Sequence, residues 1–140
     1  MIDLKGYHHS GEVMNLLAEC MWPDNERLEN EYRNYRSDDS RILLGKMMNN
    51  QLVGLIGIAL LSPGKAELKH ISVKQGYRNQ GLGKEMLEEI VEKLSLTELA
   101  AETDKDAVNF YRRTGFLITS LGEKYPGVER FCCVYRREEP

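Results

Sequence analysis

The chain has few of the features that mark membrane, secreted or nucleic-acid-binding proteins. Its longest apolar run, Leu52 to Leu61, is interrupted by glycines and is shorter than the roughly 20 residues that cross a bilayer. The net charge of −3 supplies no basic excess, which a protein needs in order to bind phosphate backbones. We therefore expect no membrane segment and no nucleic-acid partner.

Residues that bind metals or form disulfides are also scarce. Cys20, Cys132 and Cys133 form no Cys-x-x-Cys pair, and the adjacent pair should point to opposite faces of a strand. His8 and His9 have no histidine or cysteine partner at ligand spacing. We expect buried thiols and no metal site.

The length and composition of the chain predict one domain, spanning residues 1–140. With 41% hydrophobic and 29% charged residues, the chain can form one sizeable core but is too short for two ordinary domains. The first nine residues lack the basic and apolar stretches of a secretory signal, which favours a cytoplasmic protein.

Hydrophobic periodicity predicts an α/β chain in the order strand, two helices, three strands, helix, strand, helix and two strands. Ser10 and Asp24 are predicted to cap the first two helices, and Asp104 or Asp106 the last. The second helix is mostly polar and is expected to lie on the surface. The predicted strands cover residues 2–4, 41–48, 51–61, 66–73, 97–102, 116–125 and 130–137, and the strongest helix covers 81–94.

The stretch ISVKQGYRNQGLGKEMLEEIVEKL, Ile71 to Leu94, holds the strongest chemical pattern in the chain. An apolar strand is followed by a turn rich in glycine and basic residues, and then by an amphipathic helix. Glycines let a ligand approach the main chain, and the unpaired amides at a helix start attract an anion. The pattern predicts a phosphate-binding loop, with a plain glycine-rich turn as the alternative.

The residues of this loop exclude two common nucleotide-binding motifs. Gly81-x-Gly83 lacks the third glycine of the dinucleotide fingerprint, and Glu85 stands where a nucleotide P-loop has Ser or Thr. Instead, VKQGYRNQGLGKEML resembles the acyl-CoA-binding motif of the GNAT superfamily of N-acetyltransferases, Arg/Gln-x-x-Gly-x-Gly/Ala, with Arg78 as its first residue. The later stretch ETDKDAVNFYRRTGF, Glu102 to Phe116, resembles the second signature of that family, in the usual order and separation.

The resemblance implies a single-domain GNAT-like fold of the α+β type. Its central sheet would be mixed but mostly antiparallel, with about seven strands flanked by about four helices. It also implies an enzyme that moves an acetyl group from acetyl-CoA to a primary amine by direct attack in a ternary complex. Two alternatives stay open: a non-catalytic acyl-CoA-binding or regulatory module, and a glycine-rich scaffold without a cofactor.

The resemblance further implies a cofactor site built largely from main-chain atoms. The loop amides at 80–84 would bind the CoA pyrophosphate, and the main chain of Ile71 and Val73 would bind the pantetheine arm. The Val73 N–H would also serve as an oxyanion donor. The cofactor-binding residues that the resemblance implies are Ile71, Val73, Arg78, Asn79, Gln80, Gly81, Gly83, Lys84, Asn109, Phe110 and Tyr111.

The loop departs from the family pattern at two positions. Gln75 replaces a proline that is common after the strand, and Asn79 replaces a glycine that is common after the arginine. Neither change removes a main-chain donor, so cofactor binding is still expected.

Acetyl transfer to an amine requires two proton movements. A protonated amine must lose a proton before it attacks, and the departing thiolate gains from a proton donor. The resemblance places Tyr111 near the thioester sulfur as that donor. Glu67 is the predicted base, because its position matches the catalytic glutamate of some histone-modifying relatives, and strict alternation would put it on the face of Ile71 and Val73. A water chain, or the weaker candidate His70 on the opposite face, stays open.

The acceptor amine is not identified by the sequence. Residues 19–39 contain seven acidic residues and three arginines, which favours a cationic amine, although a solvated helix face explains the same run. Trp22 and Tyr125 are predicted to line the acceptor site, or else to anchor the core or its rim. Glu67 is also predicted to line that site, or else to be a solvated strand residue paired with a lysine. Similar proteins often form homodimers through the final strands, so the resemblance allows a homodimer.

Overall fold

One mixed sheet of seven strands, flanked by four helices, organises residues 1–138, which the computed structural model describes. The elements are β1 (Ile2–Asp3), α1 (Ser10–Ala18), α2 (Asn25–Ser37), β2 (Arg41–Met48), β3 (Gln51–Ser62), β4 (Lys65–Val73), α3 (Leu82–Lys93), β5 (Glu98–Asp104), α4 (Val108–Arg113), β6 (Leu117–Tyr125) and β7 (Val128–Arg136). The strand order is β1-β2-β3-β4-β5-β7-β6, and β4 and β5 are the parallel pair. The predicted fold class is confirmed.

The helices pack on opposite faces of the sheet. Leu43 and Leu55 belong to a core cluster with residues of α1 and α2, whereas Leu44 and Ile56 belong to a second cluster with residues of α3 and α4. Neighbouring strand residues point to opposite faces, so the two clusters lie on the two sides of the sheet. The predicted apolar face of α3 is buried, and full burial of each such side chain is worth about 2 kcal/mol.

Two of the predicted helix caps are wrong. Ser10 is the first residue of α1, and the cap position is His9, which makes no side-chain capping bond. The last helix begins after Ala107, which makes no side-chain capping bond, and Asp104 instead accepts the amides of Asp106 and Ala107 at 3.0 and 3.3 Å in the turn before it. The cap at Asp24 is confirmed, since its side chain accepts the Arg27 amide at 3.2 Å.

The second helix is less superficial than its polar sequence predicts. Tyr35 of α2 has 0% of its side chain exposed. A Cβ at Gly57 would lie only 2.2 Å from the Tyr35 hydroxyl oxygen, so the tyrosine fits because that strand position is glycine. One large side chain of this mostly polar helix is therefore buried against the sheet.

A β-bulge breaks the alternation of β4. Gly57 of β3 pairs with His70, but the next residue, Ile58, pairs with Leu68, so Lys69 is the extra residue. Leu68 consequently packs in the α3 cluster, on the side against which Ile71 and Val73 also pack. Glu67 alternates with Leu68 and faces the opposite side. The prediction that Glu67 shares a face with Ile71 and Val73 is therefore wrong.

The parallel strands β4 and β5 separate along their length. They pair only where residues 65–67 lie beside residues 98–100, although β4 continues to Val73 and β5 to Asp104. The sheet is thus split between these two strands at their C-terminal ends. That split positions the candidate site.

Three further findings bear on the class of protein. None of the helices in residues 1–138 is long and apolar enough to cross a membrane. Within the same residues, no group of three or more His, Cys, Asp or Glu side chains is placed to hold a metal ion. Cys20, Cys132 and Cys133 are free thiols, and Cys133 is the buried one.

Candidate active site

A groove of about 1110 Å³ opens where β4 and β5 separate. Its walls come from the chain after α1, the first half of α2, the end of β4, the end of β5 and the first turns of α4. Its lining includes Arg78, Gly83 and Phe110, and also Trp22 and Arg27. We call this space the groove.

The loop between β4 and α3 presents unpaired main-chain donors beside the groove. Gly81 caps α3 with a φ of 80°, and a Cβ there would meet nothing within 4 Å. Asn79 has a φ of 62°, a left-handed conformation that asparagine tolerates, which explains how it replaces the glycine common in the resembling family. The main-chain amides from Gln80 to Lys84 have no hydrogen-bond acceptor in the described part of the chain. Such a cluster of free amides at a helix start fits an anion such as a pyrophosphate.

Gly83 is constrained by packing as well as by the loop. A Cβ at this position would lie 2.9 Å from Cε1 of Phe110. The glycine therefore lets α4 approach the first turn of α3. Phe110 in turn stacks edge-on against Tyr111, with ring centroids 5.2 Å apart.

Arg78 links both sides of the groove mouth. Its Nε donates to the Val73 carbonyl at 2.7 Å, and its guanidinium lies 3.3 Å from the Glu19 carboxylate. Both side chains of this ion pair are about half exposed, with 47% and 56% of their surfaces accessible. Because exposed pairs are worth little, an anionic ligand can displace Glu19 at small cost.

The end of β4 offers main-chain groups to the split in the sheet. The Lys74 amide donates to the Val53 carbonyl at 2.8 Å, so position 74 is bonded to β3. In an antiparallel ladder the bonded positions alternate, so Ser72 is also bonded to β3. The amides of Ile71 and Val73 then face away from β3, towards the groove.

Tyr111 reaches the groove with its hydroxyl free. The side chain is only 7% exposed and packs edge-on against Phe110 and Phe116. In residues 1–138 its hydroxyl has no partner and is not among the buried atoms that lack one. Burial raises the pKa of Tyr111, so the hydroxyl keeps its proton at neutral pH and can donate it.

Cys20 is a groove residue that the sequence did not indicate. Its Sγ donates to the Leu17 carbonyl at 3.3 Å, and the thiol lines the groove. Burial raises the pKa of Cys20 to about 12, although the Ile71 amide acts in the opposite direction. A thiol of this kind is protonated at neutral pH and is a weak nucleophile.

His70 and Tyr35 form a buried pair at the side of the groove. Nδ1 of His70 lies 2.6 Å from the Tyr35 hydroxyl, and His70 is 8% exposed. Burial lowers the pKa of His70 to about 4, so the imidazole is neutral at pH 7. Arg41 lies over the Tyr35 ring, 5.1 Å from its centroid, and donates to Glu31 at 3.1 Å. These contacts hold Tyr35 at its hydroxyl and at one face of its ring.

Half of the predicted site residues line the groove. They come from the end of β4, the loop, α4 and the chain after α1. This set is Trp22, Ile71, Val73, Arg78, Gly83, Phe110 and Tyr111.

The other predicted residues lie outside the groove lining. Glu67 lies 3.4 Å from Lys69, where β4 is still paired to β5. Asn109 accepts from Arg112 at 2.5 Å on the exposed side of α4, and Tyr125 is 65% exposed at the end of β6. The remaining members of this set, all in the exposed loop or the first turn of α3, are Asn79, Gln80, Gly81 and Lys84.

The sequence model of the Acetyltransferase (GNAT) family matches residues 11–116. A Bacillus methanolicus protein, named as an uncharacterized N-acetyltransferase of the lysA 3′ region, is 31% identical over 64 residues. The match covers 46% of this chain and 53% of that protein, so it spans about half the length of the relative.

Solved structures of acetyltransferases share the fold. A GNAT family acetyltransferase from Elizabethkingia anophelis, crystallised with acetyl-CoA bound, is 19% identical with a TM-score of 0.67, over 88% of this chain and 89% of that one. The ribosomal-protein-S18-alanine N-acetyltransferase from Escherichia coli is 17% identical with a TM-score of 0.74, over 93% of this chain and 88% of that one. At these identities the likeness is one of fold.

Proposed function

The chain belongs to the acetyltransferase (GNAT) family, and from that premise we propose that it transfers an acetyl group from acetyl-CoA to a primary amine. The observation that carries the proposal is the cluster of unpaired amides from Gln80 to Lys84 beside the groove. Those amides suit the CoA pyrophosphate, and the split between β4 and β5 suits the pantetheine arm. Acetyl-CoA supplies the activated acyl group.

The residues of the groove can assist each step of the transfer. The Val73 amide faces the groove and is suited to stabilise negative charge on the carbonyl oxygen while the amine attacks. As the new C–N bond forms, the C–S bond breaks. Tyr111 is suited to give its proton to the departing thiolate. The amine proton leaves to a base or to water.

The identity of the base stays a prediction. Glu67, the residue that the resemblance implies, lies outside the groove lining, so a water chain would have to connect it to the amine. Glu67→Gln separates the two cases. A loss of the pH-dependent limb of kcat/KM supports Glu67, and an unchanged profile supports water or another group.

Finer features of the function also stay predictions. A cationic acceptor is supported by Glu19 and Glu31 in the groove wall, although both carboxylates already contact arginines. The homodimer, the cytoplasmic location and the single domain over residues 1–140 are proposed from the resemblance and the composition. Light scattering measures the oligomeric state directly.

The proposed function is tested by thiol release from acetyl-CoA across a panel of amines. We expect at least one amine to be acetylated and Tyr111→Phe to lower kcat. If CoA binds but no amine reacts and the substitution changes nothing, the non-catalytic acyl-CoA-binding module is correct instead.

A parallel thermal unfolding measurement tests the scaffold alternative. At a hundred times its Kd, CoA should stabilise the protein by roughly 2.7 kcal/mol. No shift in the unfolding temperature at any CoA concentration means that the chain is a glycine-rich scaffold without this cofactor.

A further inference from the structure

The buried hydroxyl of Tyr35 determines which nitrogen of His70 carries a proton. In the described residues, Nδ1 of His70 is the hydrogen-bond partner of this hydroxyl, at 2.6 Å. The guanidinium of Arg41, which lies over the ring, has no lone pair and cannot accept the phenolic proton. A buried O–H without an acceptor is costly, so the hydroxyl donates to Nδ1.

It follows that His70 presents a donor to the groove. A neutral imidazole has one N–H, and with Nδ1 accepting from Tyr35 that proton is on Nε2. Within residues 1–138, Nε2 has no hydrogen-bond partner and is not among the buried unpaired atoms. Since His70 lines the groove, Nε2 is reached from it. His70 in this state cannot take a proton from an amine, but it can donate a hydrogen bond to an oxygen.

A second polar group without a partner lies on the same wall. The Ser72 hydroxyl is buried and has no hydrogen-bond partner among the described residues, and Ser72 is 7% exposed. Ser72 lies two residues beyond His70 on β4, in the groove lining and next to Val73. The Ser72 oxygen is itself buried, so a ligand in the groove reaches Nε2 of His70 rather than this hydroxyl.

The groove wall near His70 carries charges of both signs. Arg27 forms no ion pair in the described part of the chain. Across the groove, Glu102 contacts both Lys124 and Arg130, so two cations share one carboxylate. Glu31, which pairs with Arg41, also lines the groove, so the wall carries both signs of charge, and the case for an oxygen ligand rests on the free Nε2–H of His70.

We infer that His70 donates a hydrogen bond from Nε2 to the acceptor substrate, and that this acceptor is an amine with a carbonyl beside it, such as an amino acid amide or a peptide N-terminus. The inference rests on the proposed acetyl transfer and narrows its substrate class. The amine would lie near Val73, and the carbonyl oxygen would lie near His70. Tyr35 is a positioning residue, because it acts only by fixing the tautomer of His70.

The activity test compares two amines of similar size, glycinamide and propylamine, with glycylglycinamide as a peptide. Rates are expressed per unprotonated amine, because the amines differ in pKa.

We expect the native protein to prefer the carbonyl-bearing amines, and His70→Leu to lower that preference about tenfold. His70→Gln should restore part of the preference, since its amide N–H can replace Nε2–H. His8→Gln, an exposed histidine outside the groove, is the matched control and should change nothing. The ratio between glycinamide and glycylglycinamide distinguishes a small amide from a peptide.

A spectroscopic test does not depend on turnover. In ¹⁵N spectra of the whole protein, His70 should be the Nε2–H tautomer at pH 7. Tyr35→Phe should remove the preference of His70 for this tautomer. With CoA present, N-acetylglycinamide should shift the Nε2–H signal, whereas N-propylacetamide should not.

Each outcome of the two tests decides something. An Nδ1–H tautomer, or equal losses for both amines in His70→Leu, overturns the inference and leaves acetyl transfer intact. A selective shift of the His70 signal without acetylation of any amine overturns the proposed function and leaves the binding role of His70 intact. If no amine is acetylated and the His70 signal does not shift, both the inference and the proposed function are overturned.

Discussion

At the scale of single residues, the groove depends on contacts between positions that are far apart in the sequence. Tyr35, Gly57 and His70 come from three different elements, and the tyrosine hydroxyl reaches the imidazole only because position 57 has no side chain. No local sequence pattern predicts such a contact, because periodicity indicates which residues are buried but not which distant residues touch each other. Tyr111, by contrast, belongs to a motif, and the prediction placed it in the groove from the sequence.

The first prediction concerns the free hydroxyl of Tyr111. Tyr111→Phe removes the proton donor while keeping the ring that packs against Phe110 and Phe116. We expect kcat to fall by about 10²-fold, the low end for general acid catalysis, with the Kd for CoA unchanged. Steady-state kinetics and calorimetry measure the two quantities. Tyr32→Phe, a change in a tyrosine outside the groove, serves as the control, and an unaltered kcat in Tyr111→Phe would remove the residue from the mechanism.

The second prediction concerns the pH dependence of stability. Burial lowers the pKa of His70 from 6.5 to about 4; the Glu31 carboxylate opposes this shift, and the cations Arg41 and Lys69 add to it. Between these pH values the unfolded chain binds more protons than the folded one. The stability from neutral His70 is therefore fully present above pH 6.5 and is lost as the pH falls towards 4.

The size of this effect follows from the shift in pKa. A complete loss amounts to about 3 kcal/mol for a shift of this order. Urea unfolding of the native protein and of His70→Gln, at several pH values from 7 to 4, gives the difference. The carboxylates titrate in both proteins and cancel, so parallel pH profiles would show that the histidine is not held neutral.

At the scale of elements, hydrophobic periodicity placed most strands and helices to within a few residues, because each buries one face. Strand β2 is predicted at its observed bounds, and the apolar face of α3 is buried as expected. The bulge at Lys69 could not be predicted, since one extra residue leaves both flanking stretches with normal alternation. That single residue reverses the face of Glu67, which lies outside the groove where β4 is still paired to β5.

The third prediction separates two glycines at the start of α3. Gly81→Ala meets open space but has a φ of 80°, so it should lower the free energy of unfolding by about 1 kcal/mol. Gly83→Ala has no such strain, but its Cβ would displace Phe110 and should lower kcat/KM more than stability. Gly11→Ala in α1, an exposed position with open space, is the control and should not destabilise the protein.

Denaturant unfolding and steady-state kinetics are measured on all three glycine variants. Gly81→Ala should mainly lower the free energy of unfolding, whereas Gly83→Ala should mainly lower kcat/KM. Equal behaviour of Gly81→Ala and Gly83→Ala would show that backbone conformation and Phe110 packing do not have the separate roles assigned to them.

At the scale of the whole molecule, one topological feature creates the site. The parallel strands β4 and β5 pair for three residues and then separate, and the groove lies in the resulting split. The sequence predicted the order of the elements, and hence a fold of this class, because each element has its own local pattern. Residues 19–39 and Trp22 were already predicted to lie near the acceptor, but nothing in the sequence singled out Cys20, Arg27 and Glu31, since only the folded chain brings these residues to β4.

The central claim is that the main-chain amides at the start of α3 bind the pyrophosphate of CoA. The most direct test is an amide ¹H–¹⁵N titration of the protein with CoA. The account predicts that the largest shifts fall on the amides from Gln80 to Lys84, which have no acceptor in residues 1–138. Saturating CoA that leaves these amides unmoved, while shifting others, would contradict it.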